Sequence, residues 1–254
     1  MEEAEEGRGE QTRVESARRR LLRRLAASRL WRAQVRYAVV LLAFAVLAAF
    51  ARANAYFAWD RAVAQYIQSL RTPALDVLMY AVSYVGYHVV PYAIAGLTAL
   101  AFFAARRRSE AYALLVSTAG SGLLNRTIKM LIARPRPTAP DVNVFRLHGG
   151  QSFPSGHVTF YVCYFGFLFF VAYALLPKRS LARRLALTLT SLMIALVGLS
   201  RVYLGAHWPS DTIGAYFLGG LWLGFSLYLY SRWKERSTFH QDEAGAAIRT
   251  RADE

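Results

Sequence analysis

Two residues within Ser200–Asp211, SRVYLGAHWPSD, have the types and the spacing of a catalytic pair. His207 and Asp211 are four positions apart, and Pro209 between them suits the first turn of a helix. A carboxylate at this offset can accept the imidazole Nδ1 proton, which orients Nε2 as a nucleophile. The spacing therefore predicts that His207 attacks an electrophile and that Asp211 orients its ring.

Two further polar stretches, KMLIARPRP at 129–137 and PSGH at 154–157, carry groups that suit a phosphate. One guanidinium group can bind two phosphate oxygens at once, and an ammonium group adds a compact positive charge. PSGH immediately precedes an apolar segment, so we expect its backbone N–H groups at a helix N-terminus, where anions bind. The phosphate-binding residues predicted from the three stretches are Lys129, Arg136, Ser155, Gly156 and Arg201.

A second histidine, His157, can protonate the departing oxygen as a general acid. The cations would stabilise charge on the equatorial oxygens while the phosphoryl group passes in line. Lysine and arginine thus take the electrostatic role that Mg²⁺ has elsewhere, and the one carboxylate of the site, Asp211, is committed to His207. We therefore expect neither a metal ion nor another cofactor.

The elements that must position these residues are apolar blocks. Of the 254 residues, 55% are hydrophobic and 14% are aromatic, and the mean hydropathy is positive. The net charge of +15 lies in the tails and in short loops between apolar blocks, which is the pattern of a membrane protein. We therefore expect a lipid bilayer, and no nucleic acid, as a partner. The single cysteine, Cys163, lies in an apolar block and predicts no disulfide.

Six apolar segments are candidates for membrane crossings, for which about 20 residues are needed. The segment 56–70, YFAWDRAVAQYIQSL, is instead aromatic-rich and amphipathic, which predicts a helix lying in the membrane interface. The predicted fold class is all-α, an integral membrane bundle of six transmembrane helices with an interfacial amphipathic helix. The predicted crossings run approximately over 37–51, 87–105, 111–124, 158–176, 185–199 and 213–230.

Three parts make up the predicted organisation: a charged arm over 1–36, one membrane domain over 37–231 and a charged tail over 232–254. The tripeptide ARA at 51–53 resembles a signal-peptidase site, but the length of the preceding arm favours an uncleaved helix. Whether the segment is cleaved stays open.

Basic residues predict the orientation in the cell membrane, because cytoplasmic loops carry an excess of lysine and arginine. Both termini are then cytoplasmic, together with the short loops around 106–108 and 178–184. The loops at 134–154 and 200–211 fall together on the outer face, although both carry arginine. The two loops are distant in sequence, yet they share one face of the membrane and both depart from the charge rule. This coincidence indicates a functional site on that face.

The three motifs together resemble the signature of the type 2 phosphatidic acid phosphatases (PAP2), a family of integral-membrane lipid phosphatases. The resemblance covers 129–211 by motif and the rest of the chain by topology. It implies a phosphohistidine intermediate on His207, His157 as the acid, and metal-independent hydrolysis of lipid phosphates or diphosphates. Soluble vanadium haloperoxidases and bacterial acid phosphatases share the signature, but the apolar spans argue against both. The motifs are Lys129-x6-Arg136-Pro137, Pro154-Ser155-Gly156-His157 and Ser200-Arg201-x5-His207-x3-Asp211.

The predicted function is therefore that of a membrane lipid phosphatase, with undecaprenyl (polyprenyl) diphosphate at the outer leaflet as the leading substrate. Phosphatidic acid, phosphatidylglycerophosphate and diacylglycerol diphosphate are alternatives, because residues that bind phosphate do not indicate which lipid tail is attached to it. A lipid phosphotransferase would share the mechanism, with an alcohol in place of water. A lipid-phosphate transporter is less well supported, because the sequence shows no internal repeat. The oligomeric state is not predicted.

Several polar residues outside the motifs allow a simpler interpretation. Arg126 fits a side chain that snorkels from a span end, and His88 fits a polar anchor at the interface. Arg134 is open between a substrate contact and a solvated charge. Asp60 and Asp76 are interpreted as helix-end or loop carboxylates.

Overall fold

A computed structural model of the chain describes Ser28, residues 30–145 and residues 149–252, with side chains through Glu235. Over these residues the chain consists of helices and connecting segments, without strands. The prediction of an all-α fold is thereby confirmed. The predicted arm over 1–36 lies largely outside the described residues, and so do most side chains of the predicted tail.

The described residues form eight helices. Four are long and apolar enough to cross a membrane, namely α1, α6, α7 and the first part of α8, Pro209–Glu235. The other two predicted crossings correspond to α4, which is apolar but only 15 residues long, and to α5, which carries charged residues. The helices are α1 (Leu30–Ala53), α2 (Ala58–Ser69), α3 (Pro73–Tyr84), α4 (Val90–Ala104), α5 (Arg108–Ile132), α6 (Gly156–Leu175), α7 (Leu181–Tyr203) and α8 (Pro209–Ala252).

The chain divides into two compact units, Met1–Ala43 and Phe44–Glu254, and every contact described below lies within the second. Helix α6 is central to this unit, because it packs against α5, α7 and α8. Its side chains are apolar on all sides, as expected of a helix surrounded by other helices. The buried core around it includes Leu114, Val158, Tyr161, Phe167, Val197 and Ala215.

Local sequence determines where the helices around the site begin and end. Helix α5 ends at Ala133, which adopts a left-handed conformation with φ of 54°. Helix α6 begins directly after Ser155, and α8 begins at Pro209, whose fixed φ suits a first helical position. These ends place the signature residues in the connections between helices or in their terminal turns.

Helix α2 buries two polar side chains. It buries Asp60 and Gln68 together with Ala64, and Ile67 packs against the core, whereas Trp59 is 44% exposed. The Gln68 side-chain amide donates to the carbonyls of Asn143 and Tyr203 over 2.8 and 3.1 Å. These bonds attach α2 to the α5–α6 connection and to the end of α7.

Candidate active site

The signature residues lie at corresponding ends of four helices. Lys129 is in the last turn of α5, and Arg201 is in the last turn of α7. Gly156 and His157 are the first two residues of α6, and Asp211 is in the first turn of α8. Because α6 packs against the other three helices, residues that are far apart in sequence come together at one end of the bundle.

His207 is buried between a carboxylate and a cation. Its Nδ1 lies 3.5 Å from Oδ2 of Asp211, and its Nε2 lies 3.2 Å from a guanidinium nitrogen of Arg136. A guanidinium group can only donate, so Nε2 accepts from Arg136 and the ring proton belongs on Nδ1, facing Asp211. The ring is thus held in the tautomer that leaves a lone pair on Nε2.

The Asp211 carboxylate is fixed by several donors besides His207. Its Oδ2 accepts from the backbone N–H of Trp208 over 2.9 Å and from the hydroxyl of Ser152. Its Oδ1 accepts from Arg134 over 2.7 Å. A carboxylate with so many donors has one orientation, and so has the imidazole next to it.

Three cations of the signature are close enough to repel one another. Arg136 donates to the carbonyls of Gly150 and Ala206 over 3.2 and 2.8 Å, and Lys129 donates to that of Ser152 over 3.1 Å. Burial and the neighbouring charge of Arg201 lower the pKa of Arg136 to about 10. Clustered like charges are costly unless an anion joins them, so the arrangement favours an anion-binding site.

Arg201 is held by a segment that the sequence motifs do not include. Its guanidinium donates to the hydroxyls of Ser83 and Tyr87 over 2.6 and 2.7 Å and lies over the Tyr87 ring. The same ring contacts His157 edge-on, with centroids 4.8 Å apart. Gly86 packs so closely that a Cβ there would overlap the His157 imidazole. The segment 83–87 therefore positions both the proposed acid and one of the cations.

The PSGH segment is held from α5. The Asn125 side-chain amide donates to the carbonyl of Pro154 over 3.4 Å and to the hydroxyl of Thr159 over 3.0 Å. The Ser155 hydroxyl is buried and makes no hydrogen bond to any described residue. The sequence reasoning missed Asn125, although an amide inside an apolar block four positions before Lys129 is a signal that could have found it.

The interpretation of Arg134 as a solvated charge is wrong. Its side chain is fully buried between Asp60 and Asp211, at 2.9 and 2.7 Å. Asp60 does lie at a helix end, in the first turn of α2, but it is also fully buried and ion-paired. Neither burial could be read from the sequence, because the partners of Arg134 are 74 and 77 positions away.

A cavity of about 880 Å³ lies among α4, α5 and α6 and includes His157 and Lys129 in its wall. Small and apolar residues such as Gly96 and Ala119 form much of the rest. Arg126 and His88 also line it. An apolar cavity that reaches a histidine and a lysine suits a ligand with an apolar chain and an anionic head.

Metal ligands are not grouped in the part of the chain that the structure describes. Within it, no three histidine, cysteine, aspartate or glutamate side chains are arranged to hold an ion.

Fold and site together define a class, a helical membrane protein with a site equipped for phosphoryl transfer at one end of the bundle. Residues 110–235 match the model of the PAP2 superfamily. The chain belongs to this superfamily, and it is a multi-pass membrane phosphatase.

The chain is similar to two curated phosphatases. It is 29% identical to phosphatidylglycerophosphatase B of Bacillus subtilis over 179 residues, which cover 70% of this chain and 86% of that protein. It is 36% identical to lipid A 1-phosphatase of Rhizobium etli over 141 residues, 49% of this chain and 56% of that one.

Two solved structures resemble the fold. The PAP2-type phosphatidylglycerolphosphate phosphatase of Bacillus subtilis is 27% identical with a TM-score of 0.65, covering 79% of this chain and 96% of that one. LpxE of Aquifex aeolicus is 25% identical with a TM-score of 0.53, covering 68% of this chain and 96% of that one.

Proposed function

We propose that the protein hydrolyses a lipid phosphate or diphosphate without a metal ion, through a phosphohistidine formed on His207. The observation that carries this proposal is the setting of His207, with Nδ1 facing Asp211 and Nε2 next to Arg136 and its neighbouring cations. An imidazole so oriented is a nucleophile directed at an anion-binding site.

In the first step, the Nε2 lone pair of His207 forms a bond to phosphorus in place of its contact with Arg136. The bond from phosphorus to the lipid oxygen breaks, and its electron pair leaves with that oxygen. His157, protonated at this stage, gives its proton to the oxygen, and the lipid departs with one phosphate fewer, as an alcohol or, from a diphosphate, as the monophosphate. The proton on Nδ1 stays between the ring and Asp211.

In the second step, a water molecule attacks the phosphorus of the phosphohistidine. His157 accepts the proton of this water, the bond from phosphorus to nitrogen breaks, and the electron pair returns to Nε2. Inorganic phosphate leaves, and both histidines regain their starting states. The cations stabilise the charge on the phosphoryl oxygens in both steps, which is the role we propose for Lys129, Arg136 and Arg201. Ser155 and the Gly156 amide would add neutral donors at the start of α6.

We propose undecaprenyl diphosphate, at the outer leaflet, as the leading substrate. The cavity next to His157 is large and mostly apolar, as a lipid chain requires. Arg126 lies three residues before Lys129 on α5, about 4.5 Å further along the helix, so it lines the cavity below the proposed phosphate. A second cation there favours a lipid with a second phosphate group.

Phosphatidylglycerophosphate is the second candidate, because a curated relative and a solved structure are both phosphatases named for it. It too carries a second phosphate between its terminal phosphate and its acyl chains. Phosphatidic acid and diacylglycerol diphosphate complete the set to be compared.

The proposed topology has six crossings, with α4 and α5 added to the four long apolar helices. They belong to one membrane domain over 37–231, with α2 in the outer interface and both termini in the cytoplasm. The site then lies at the outer face. In a Cys163→Ala background, we expect Thr138→Cys, and not Lys178→Cys, to react with an impermeant thiol reagent added to intact cells. The reverse labelling pattern would contradict the orientation.

The activity is tested by phosphate release from the four lipids in detergent, with and without excess EDTA. We expect turnover to survive EDTA, to be fastest with undecaprenyl diphosphate and to fall to background in His207→Ala. Acid-labile label from a ³²P-substrate should be trapped on the wild type and not on this variant. Retained turnover in His207→Ala would contradict the assignment of His207 as the nucleophile. Transfer of phosphate from the lipid to an added alcohol would identify a phosphotransferase.

A further inference from the structure

A buried chain of charges runs behind His207 from α2 to α8. Arg134 binds Asp60 through one guanidinium nitrogen at 2.9 Å and Asp211 through another at 2.7 Å. The side chains of all three residues are fully buried. Asp211 in turn faces Nδ1 of His207. The four groups form one continuous path that ends at the proposed nucleophile.

Every nitrogen of the Arg134 guanidinium donates a hydrogen bond to a carboxylate of this chain of charges, to Ser210 or to a backbone carbonyl. Its Nε donates to the carbonyls of Asn54 and Ala55 over 3.2 and 3.1 Å, and one terminal nitrogen also donates to Ser210. No atom of the group is left to contact a substrate. Any effect of Arg134 on the reaction therefore passes through the two carboxylates that it binds.

Both carboxylate oxygens of Asp60 also accept hydrogen bonds from Ser210. Its Oδ1 accepts from the backbone N–H of Ser210 over 2.8 Å, and its Oδ2 accepts from the Ser210 hydroxyl over 2.6 Å. These bonds stabilise a charged carboxylate away from water. Because Ser210 is next to Asp211 in sequence, they also join α2 to the first turn of α8.

The balance of charge in this chain has a chemical consequence. An arginine stays protonated, so two ionised carboxylates and one guanidinium carry a net charge of about −1. If Asp60 were neutral, Arg134 and Asp211 would cancel, and no net negative charge would face His207. The imidazole carries a positive charge once its Nε2 is bonded to phosphorus, and inside a protein such a charge needs an opposite one nearby.

We propose that Asp60 is a positioning residue for the reaction, because it offsets the charge of Arg134 and thereby leaves the charge of Asp211 available to His207. This inference rests on the proposed function, since it acts through His207. Asp60 touches no substrate and contributes by lowering the energy of the phosphohistidine step. Its loss should therefore reduce kcat and leave KM nearly unchanged.

The test compares Asp60→Asn with Glu110→Gln in purified protein and measures kcat, KM and thermal unfolding. Glu110 is a matched control, because it is also a buried carboxylate paired with a cation, Lys234, but lies about 28 Å along α5 from Lys129. We expect kcat to fall about 100-fold in Asp60→Asn with KM within twofold, and both constants to stay unchanged in Glu110→Gln. Equal kcat values in the two variants would overturn the proposal.

A double variant covers the case in which Asp60→Asn does not fold. Arg134→Gln alone would leave a charge of about −2 in the chain, whereas Asp60→Asn with Arg134→Gln restores about −1. We expect the double variant, which has the wild-type charge of about −1, to keep a kcat within about tenfold of the wild type. A kcat in the double variant at or below that of Arg134→Gln would show that only packing matters and would overturn the proposal.

The proposed function is judged separately. Wild-type turnover that is lost in His207→Ala supports the phosphohistidine whatever Asp60 does. Failure of that control would remove the nucleophile, whereas a normal kcat in Asp60→Asn would remove only the positioning role.

Discussion

The region matched by the superfamily, residues 110–235, and the region before it, residues 44–109, contribute to the site in different ways. The first contains every residue that we propose to contact phosphate or to transfer a proton. The second supplies residues that contact those groups or their partners from behind. The difference teaches that part of the alignment of the site comes from outside the stretch of chain that carries its chemistry. The supporting residues of the second region are Asp60, Ser83, Gly86 and Tyr87.

The largest effect is expected in the matched region, from Arg201→Gln. The variant removes a buried charge that we propose to bind the phosphoryl oxygens, and loss of such a group lowers kcat by about 10²–10³-fold. Phosphate release from a lipid phosphate measures this. Arg183→Gln is the matched control, because Arg183 is also buried on α7 but near its opposite end. A similar loss in both variants would mean that Arg201 supports the fold and not the reaction.

The next largest effect is expected outside the matched region, from Gly86→Ala. The added Cβ would overlap the His157 imidazole, so the proposed acid must move. General acid catalysis contributes about 10²–10⁴-fold, and we expect about a 100-fold fall in kcat as most of it is lost. Gly220→Ala serves as control, because a Cβ at that position would have no described atom within 4 Å apart from the adjacent residues and the nearby backbone of its own helix. Full activity in Gly86→Ala would show that the segment 83–87 does not restrain His157.

A smaller effect is expected from Tyr87→Phe. The ring stays against His157, and only the hydroxyl that accepts from Arg201 is removed. Ser83 still holds the guanidinium, so we expect a loss of about tenfold in kcat/KM, near the lower value for a hydrogen bond to a charged group. Tyr84→Phe, at an exposed ring in the same segment, should change nothing. An unchanged rate in Tyr87→Phe would assign the positioning of Arg201 to Ser83 and the ring, without the hydroxyl.

The comparison also explains what the sequence could predict. Phosphoryl transfer is the chemistry favoured by the types and spacing of the signature residues, because they combine two histidines with three cations, namely Lys129, Arg136, His157, Arg201 and His207. Apolar blocks predict helices and their approximate ends, because membrane-spanning helices consist mostly of apolar residues. The residues within each motif are near one another in sequence, and the structure places the three motifs together at one end of the bundle.

The supporting contacts could not be predicted in this way. The partner of Arg201 in α3, Ser83, is 118 positions away, and the partner of Arg134 in α2, Asp60, is 74 positions away. Apolar helices can pack in many pairings of similar energy, so the sequence does not say which polar side chain on one helix faces which on another. Helix α2 shows the consequence, because it buries Asp60 and Gln68 and leaves Trp59 exposed.

The smallest effect is expected from Arg126→Gln, and it should depend on the substrate. Arg126 lines the cavity and pairs with no described residue, so its charge is available to a second phosphate group of the lipid. Exposed charge pairs contribute about 0.2–1 kcal/mol, which corresponds to a fall of about threefold in kcat/KM for a diphosphate. A monophosphate with the same tail should be unaffected, and Arg126→Lys should restore the diphosphate rate. Equal losses on both lipids would instead assign Arg126 to snorkelling, and any preference for a second phosphate would then have to arise from other residues of the matched region.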